Sequence, residues 1–176
     1  MVNVKFVNRA KGELYNLNPS DNICSIDVSS YAKKPFKLLS PFTHSDKFLI
    51  PVPSMEGTFS HSVEGIWQGL KIIDEIIDES LFKRKPHKRK GKVIAHKFGE
   101  KILDFYNARI DIYLPSYYFY LDNYAPKEAL DFLLREQRGG KKVYLYDVED
   151  NGDIQNPKPY AHAAALATYL NLKLIN

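Results

Sequence analysis

Residues 60–80 read SHSVEGIWQGLKIIDEIIDES, and the spacing of their apolar side chains decides the fold class. Val63, Ile66, Trp67, Leu70, Ile73 and Ile77 recur mostly at three- and four-residue intervals, the period of a helix with one buried stripe. The spacing predicts an amphipathic helix over the whole stretch. On such a helix Glu64, Gln68 and Lys71 stand at i, i+4 and i+7 and project from one face, with Trp67 on the adjacent edge. A carboxylate, an amide, an amine and an indole then share a neighbourhood. Two readings stand: a site, or the wet side of the helix, because Glu75 and Asp78 continue the row. Gly65 and Gly69 favour the first, since each costs about 1 kcal/mol relative to Ala in a helix interior and so points to a close approach of backbone or ligand.

Working outward, the segments on either side alternate between strand and helix patterns. VKFVNR (4–9) and ICSIDVSS (23–30) have β-branched, alternating character and read as strands, with Gly12 and NLNPSDN (16–22) marking turns between them. SPFTHSDKFLIPVP (40–53) sets three prolines around one short apolar run, the pattern of an extended loop with a short strand. Gly57 follows as a turn. Residues 91–124 are dense in aromatics and interrupted by Pro115, and are expected to form two short helices, one of them near 99–107. PKEALDFLLREQRGG (126–140) carries Pro126 at a helix start and Gly139 and Gly140 at its stop. KKVYLYDV (141–148) reads as a strand. The turn-forming EDNGDIQNPKP leads into a last helix over 160–175, whose alanines permit close packing. These elements predict an α+β fold, mostly helical with a small sheet, as a single compact domain over residues 1–176.

Composition limits what such a domain can do. The chain has 176 residues, 44% hydrophobic and 26% charged, enough for one domain to bury about two thirds of its surface. No apolar run approaches the roughly 18 to 20 residues of a membrane span, and the opening residues lack the apolar stretch of a signal peptide, so a cytoplasmic protein without a membrane partner is expected. Cys24 is the only cysteine, which excludes an intramolecular disulfide and favours a core role for it. The net charge of +4 is concentrated in KRKPHKRKGK (83–92), with Lys83, Arg84, Lys85, Lys88, Arg89, Lys90 and Lys92. That stretch is either a phosphate-binding segment for a nucleotide or a nucleic acid backbone, or a solvated loop paired with the preceding DEIIDES. The histidines, His44, His61, His87, His96 and His162, show no metal-ligand spacing, and no metal or cofactor is expected. His44 and His61 lie in loops that would border the Glu64 face. There is no GxxxxGK[ST], no GxGxxG, and no nucleophile elbow around VSSY.

SVEGIWQGLKI (62–72) resembles the signature of the NADAR family of YbiA-like N-glycosidases: a Glu, then an aromatic, Gln, a small residue, and a Lys seven positions after the Glu. Glu64, Trp67, Gln68, Gly69 and Lys71 match in order. Leu39, Ser40, Pro41 and Phe42 resemble that family's Ser-Asn-Phe segment, IPVP (50–53) falls where it has a short strand, and Asn151, Gly152 and Asp153 resemble the Gly-Asp pair before its last helix. The resemblance extends over about two thirds of the chain. It implies a NADAR-like domain and a hydrolase that cleaves the N-glycosidic bond of an ADP-ribosylated base, nucleotide or nucleic acid.

Breaking that bond develops positive charge at the anomeric carbon while the leaving nitrogen gains a proton, so a carboxylate by the sugar and a proton donor by the base are required. Glu64 is the central acid/base candidate and Asp153 assists. The resemblance further implies that Lys71 attacks the opened ribose to form a Schiff base, which needs an amine whose pKa burial has lowered against the pull of Glu64. Trp67 and Gln68 would contact substrate, and Lys88, Arg89 and Lys92 would hold diphosphate or nucleic acid backbone. The alternative is a non-catalytic module that binds ADP-ribose or RNA on the same fold.

Overall fold

The computed structural model describes residues 4–9, 11–18 and 20–175; Pro19, inside the predicted 16–22 turn, lies outside them. In chain order its elements are β1 (Lys5–Phe6), β2 (Ile23–Asp27), β3 (Ile50–Pro51), β4 (Phe59–Ser60), α1 (Val63–Gly69), β5 (Lys71–Ile73), β6 (Val93–Phe98), β7 (Lys101–Leu103), α2 (Phe105–Ala108), α3 (Leu114–Asn123), α4 (Lys127–Arg138), β8 (Lys142–Tyr146) and α5 (His162–Ile175). Short 3-10 turns lie at Glu13–Asn16, Phe36–Leu39 and Glu79–Phe82, and a π-helical turn, Arg109–Tyr113, joins α2 to α3. The class is α+β, with helix exceeding strand. Contacts within the chain gather it into two units, one of Met1–Ser40 with Ala125–Asn176, the other of Pro41–Tyr124.

The first unit is a parallel three-stranded sheet in the order β1-β8-β2, with Lys5 opposite Tyr144 and Ile26 opposite Leu145. In β8, Val143 and Leu145 alternate inward and are fully buried, as a half-buried strand requires. α4 follows the sequence pattern: Pro126 precedes its first turn and Gly139 ends it. α5 buries Ala163, Ala164, Ala165 and Ala167, whose small side chains let the helix lie close to β1 and β8. Asn171 of α5 ties down β1 by accepting from Val4 N at 2.8 Å and donating to Val4 O at 2.9 Å.

The second unit corrects two expectations. The helix predicted over 60–80 is confined to Val63–Gly69. It ends there because the β-branched Ile72 and Ile73 favour extended backbone, and Asp74 and Glu75 turn the chain with φ of 51° and 64°. Ile73 and Ile76 exchange backbone hydrogen bonds of 3.1 and 3.0 Å across that two-residue turn. The apolar residues that mimicked helical spacing therefore belong to helix, strand and turn in succession. Second, most of the helix expected near 99–107 is strand and turn, with only its last residues, from Phe105, helical. β6 and β7 form a hairpin around Gly99 (φ 57°), with His96 opposite Leu103 and Phe98 opposite Lys101. The helical part of 91–124 starts only at Phe105, capped by Asp104 accepting from Asn107 N at 2.8 Å. Pro115 lies in the first turn of α3, directly after the π-helical turn, where the helical hydrogen-bond register changes.

β5, β6 and β7 form an antiparallel sheet, and β3 and β4 a hairpin turned at Gly57 (φ 73°). The core gathers Ile50, Ile66, Leu70, Leu81, Ile112, Tyr117 and Tyr120 around α1. Gly65 and Gly69 are required by this packing and not by a ligand. A Cβ on Gly65 would fall 2.6 Å from the Leu81 carbonyl, and one on Gly69 would fall 2.5 Å from the Phe82 ring.

Candidate active site

α1 is short, and its start is fixed by Ser62, whose hydroxyl accepts from Gly65 N at 3.0 Å. Ser60 Oγ lies 2.9 Å from both the Phe82 and the Ser62 carbonyl oxygens, between which its one proton is shared, and Glu64 N donates to Pro41 O at 2.9 Å. These bonds set the rotation of the helix, and with it the direction of Glu64. The polar row is not a wet face: Glu64 is 5% exposed and Gln68 1%.

Gln68 joins the cluster. Its amide Nε2 donates to Glu64 Oε1 at 2.6 Å, while its Oε1 accepts from Lys71 Nζ and from Arg89 N, each at 3.1 Å. Lys71 lies on β5 and not on the helix, yet it reaches the position expected of it because the chain turns directly from α1 into the strand. Its Nζ lies 5.8 Å from the centre of the Trp67 ring. Burial pushes the Lys71 amine below the ordinary lysine value, and the charges of Lys88 and Arg89 push the same way, while Glu64 opposes them. The net shift is downward, so burial outweighs pairing.

Trp67 is half-buried and is both a packing residue and a wall of the cluster. It stacks on His96 with ring centres 4.0 Å apart at 29°, and meets Tyr113 edge-on at 5.5 Å. His96 and Tyr113 were not singled out by the sequence as site residues, since they stand 29 and 46 positions from Trp67. The one available signal was the alternation of β6, which puts His96 on a single face with its strand neighbours once 93–98 is read as a strand. His96 is 2% exposed, and burial, then the Lys71 and Arg109 charges, push its pKa down to about 3. The ring is neutral. Arg109 is also buried, with its guanidinium 5.0 Å from the centre of the Phe105 ring.

In the basic segment, Arg89 spends its guanidinium on backbone: Nη1 donates to Lys71 O at 2.6 Å and Gln68 O at 3.3 Å, and Nη2 to Ile76 O at 3.1 Å. It clasps the segment to α1 and β5. Lys88 and Lys92 are exposed. His44 and His61 meet edge-on at 5.7 Å in the loops before α1, and burial, with the Lys83 and His44 charges behind it, lowers His61. The open depression over the β3–β4 hairpin, lined by residues 51–59, has Glu56 as its one charged group and shares no residue with the cluster.

The cluster is built from residues of the second unit, whereas Asp153 belongs to the first. Asp153 is exposed in the turn before α5: its N donates to Asn151 Oδ1 at 3.0 Å, and its Oδ1 accepts from Gln155 N at 2.9 Å. That is the ordinary use of an aspartate in a turn. Among the described residues no group of three or more His, Cys, Asp and Glu is placed to hold a metal ion, and no helix is long and apolar enough to cross a membrane.

A family model described as "Family of unknown function (DUF6939)" matches residues 8–166. No curated protein and no solved structure matches the chain.

Proposed function

The chain belongs to this family of unknown function, and we propose from the chemistry of its cluster that it is a hydrolase cleaving the N-glycosidic bond of an ADP-ribosylated base, nucleotide or nucleic acid. The resemblance of residues 62–72 to the NADAR signature supplies the reaction type. One observation carries the reading: Glu64, Gln68 and the Lys71 amine form one hydrogen-bonded chain with Glu64 and Gln68 buried, and burial pushes the amine down although Glu64 favours its charged form. An amine attacks a carbonyl only from its neutral form, and burial at this position raises that fraction.

In this reading water adds its oxygen to C1′ as the C1′–N bond breaks; the electron pair of that bond leaves with the base nitrogen, which takes up a proton, and the ribose keeps a C1′ hydroxyl from which its ring can open. Glu64 serves as the acid/base group at the anomeric carbon, held in orientation by Gln68. The opened ribose presents an aldehyde to Lys71. Trp67 provides an aromatic surface, and Lys88 and Lys92 attract the phosphates, while Arg89 fixes their segment. Asp153 is assigned its assisting role by the resemblance alone. A nucleotide substrate of this kind and the single cysteine suit a cytoplasmic protein.

The deciding experiment is chromatographic detection of free ADP-ribose from ADP-ribosylated guanine substrates, with wild type and Glu64→Gln. Release by wild type and a loss of at least about a hundredfold in the variant is the expected result. Tight binding without turnover in wild type, surviving Glu64→Gln, would instead make the protein an ADP-ribose-binding or RNA-binding module.

A further inference from the structure

His96 is unlike the rest of the cluster. It is 2% exposed, and among the described residues neither Nδ1 nor Nε2 meets a hydrogen-bond partner. A buried ring nitrogen left in this way destabilises a fold, and a phenylalanine would fill the same space without that penalty. An imidazole here has a use that packing does not explain.

Its position says what the use is. In the β5–β6 pair His96 stands directly opposite Lys71, so the two side chains leave the sheet on one face. Both also pack against the same indole, His96 stacked at 4.0 Å and the Lys71 amine 5.8 Å from the ring centre. The basic side chains of Lys71 and Arg109 are the groups that act on the imidazole beside its burial. A neutral imidazole beside an amine, in cationic surroundings, matches a ligand oxygen that gains negative charge as the amine attacks its carbon.

We propose that His96 is the second hydrogen-bonding group of the Lys71 site, so that the pair binds a carbonyl compound, with the amine directed to the carbonyl carbon and an imidazole N–H to its oxygen. This rests on the reading of Lys71 as a neutral amine. The Nζ lone pair forms the N–C bond and the C=O π pair moves onto oxygen, which the His96 N–H stabilises. A proton passes from nitrogen to that oxygen, giving a carbinolamine, and loss of water leaves the imine. Trp67, half-buried above His96, must shift for the oxygen to reach the ring. The ligand class is an aldehyde, the opened form of an aldose included.

Glycolaldehyde with cyanoborohydride tests this, because reductive trapping at Lys71 can be followed by peptide mass spectrometry across pH without any glycosidase substrate. Wild type is expected to be trapped at Lys71 with a pH midpoint below that of the exposed lysines. The groups acting on that midpoint are Glu64, Lys88 and Arg89. His96→Phe should lower the trapping rate at Lys71 about tenfold while leaving its midpoint in place and its melting temperature equal or higher. His96→Gln, which restores a neutral donor, should recover most of the rate. Trapping in His96→Phe at the wild-type rate would overturn the role of His96 and leave the Lys71 reading intact. If wild-type Lys71 is trapped no faster than exposed lysines, the Lys71 reading falls and His96 with it. Should His96→Phe not fold, a wild-type rate in a folded His96→Ala decides against the proposal equally.

Discussion

At the scale of single residues, Lys71 places a cost and a function on the same atom. A lysine whose folded-state pKa lies below its unfolded value binds fewer protons when folded over the interval between the two. Stability then rises with pH across that interval, and the penalty is fully present below the folded value. Lys71→Met is therefore expected to be more stable than wild type at pH 7, with the difference shrinking as pH approaches the ordinary lysine value. Urea unfolding at pH 7 and pH 10 measures it; a difference that is constant with pH would mean the amine is not perturbed. Glu64, Gln68 and Lys71 were legible as neighbours because helical spacing and the actual helix-to-strand turn deliver them to the same place. Their burial was not legible, since polar rows on helices are usually solvated and nothing local distinguishes this one. His96 was invisible as a partner because its pairing with Lys71 is a matter of strand register.

At the scale of elements, the boundary between α1 and β5 sets the site. Gly65 and Gly69 fit where side chains would collide with Leu81 and Phe82, and the chain leaves the helix at Leu70 to pair with β6. The return turn at Asp74–Glu75 uses left-handed backbone at both positions without a glycine. Such two-residue turns prefer Asn-Gly, so Glu75→Gly is expected to raise the unfolding free energy by about 0.5–1 kcal/mol. Chemical denaturation reads this directly, and a loss of stability would mean that the Glu75 side chain supports the turn in another way. Sequence spacing suggested one long helix here because Ile73 and Ile77 continue the period by coincidence. Periodicity counts positions, whereas β-branching and the turn at 74–75 decide where the helix stops. The same confusion operated at 99–107, where the Gly99 turn separates two strands. By contrast α4, β8 and α5 were legible, since each carries its own start or stop signal.

At the scale of the whole chain, the first unit draws β1 and β2 from one end of the sequence and β8 and α5 from the other. Asp147 and His162 lock that assembly. His162 Nδ1 lies 2.9 Å from Asp147 Oδ2, and Nε2 lies 2.7 Å from Val28 O. A carboxylate and a carbonyl only accept, so both ring nitrogens carry protons and the pair is ionic. Burial pushes Asp147 up, but the hydrogen bond and charge of His162, with the N–H groups of Ala163 and Glu149, outweigh it and hold the carboxyl below its usual value. The contribution is present above the unfolded carboxylate pKa and is lost as pH falls through the folded one. Asp147→Asn should cost about 3–5 kcal/mol at neutral pH, because it leaves a buried cation without its partner. The difference from wild type should diminish in acid. An unfolding midpoint unchanged by the substitution would show that the unit is held by its sheet and helix packing alone.

The sequence by itself determined the α+β class, the strands and helices with clear boundary signals, and the association of Glu64, Gln68 and Lys71. These follow from local physics: side-chain period, backbone propensity and the chemistry of Gly and Pro. Tertiary structure decided that the polar row is buried, that Lys71 reaches it from a strand, that Arg89 clasps backbone, and that His96 lies opposite the amine. Each of these depends on residues distant in sequence excluding water from a shared space, and desolvation is a property of the packed assembly that no local pattern of residues encodes.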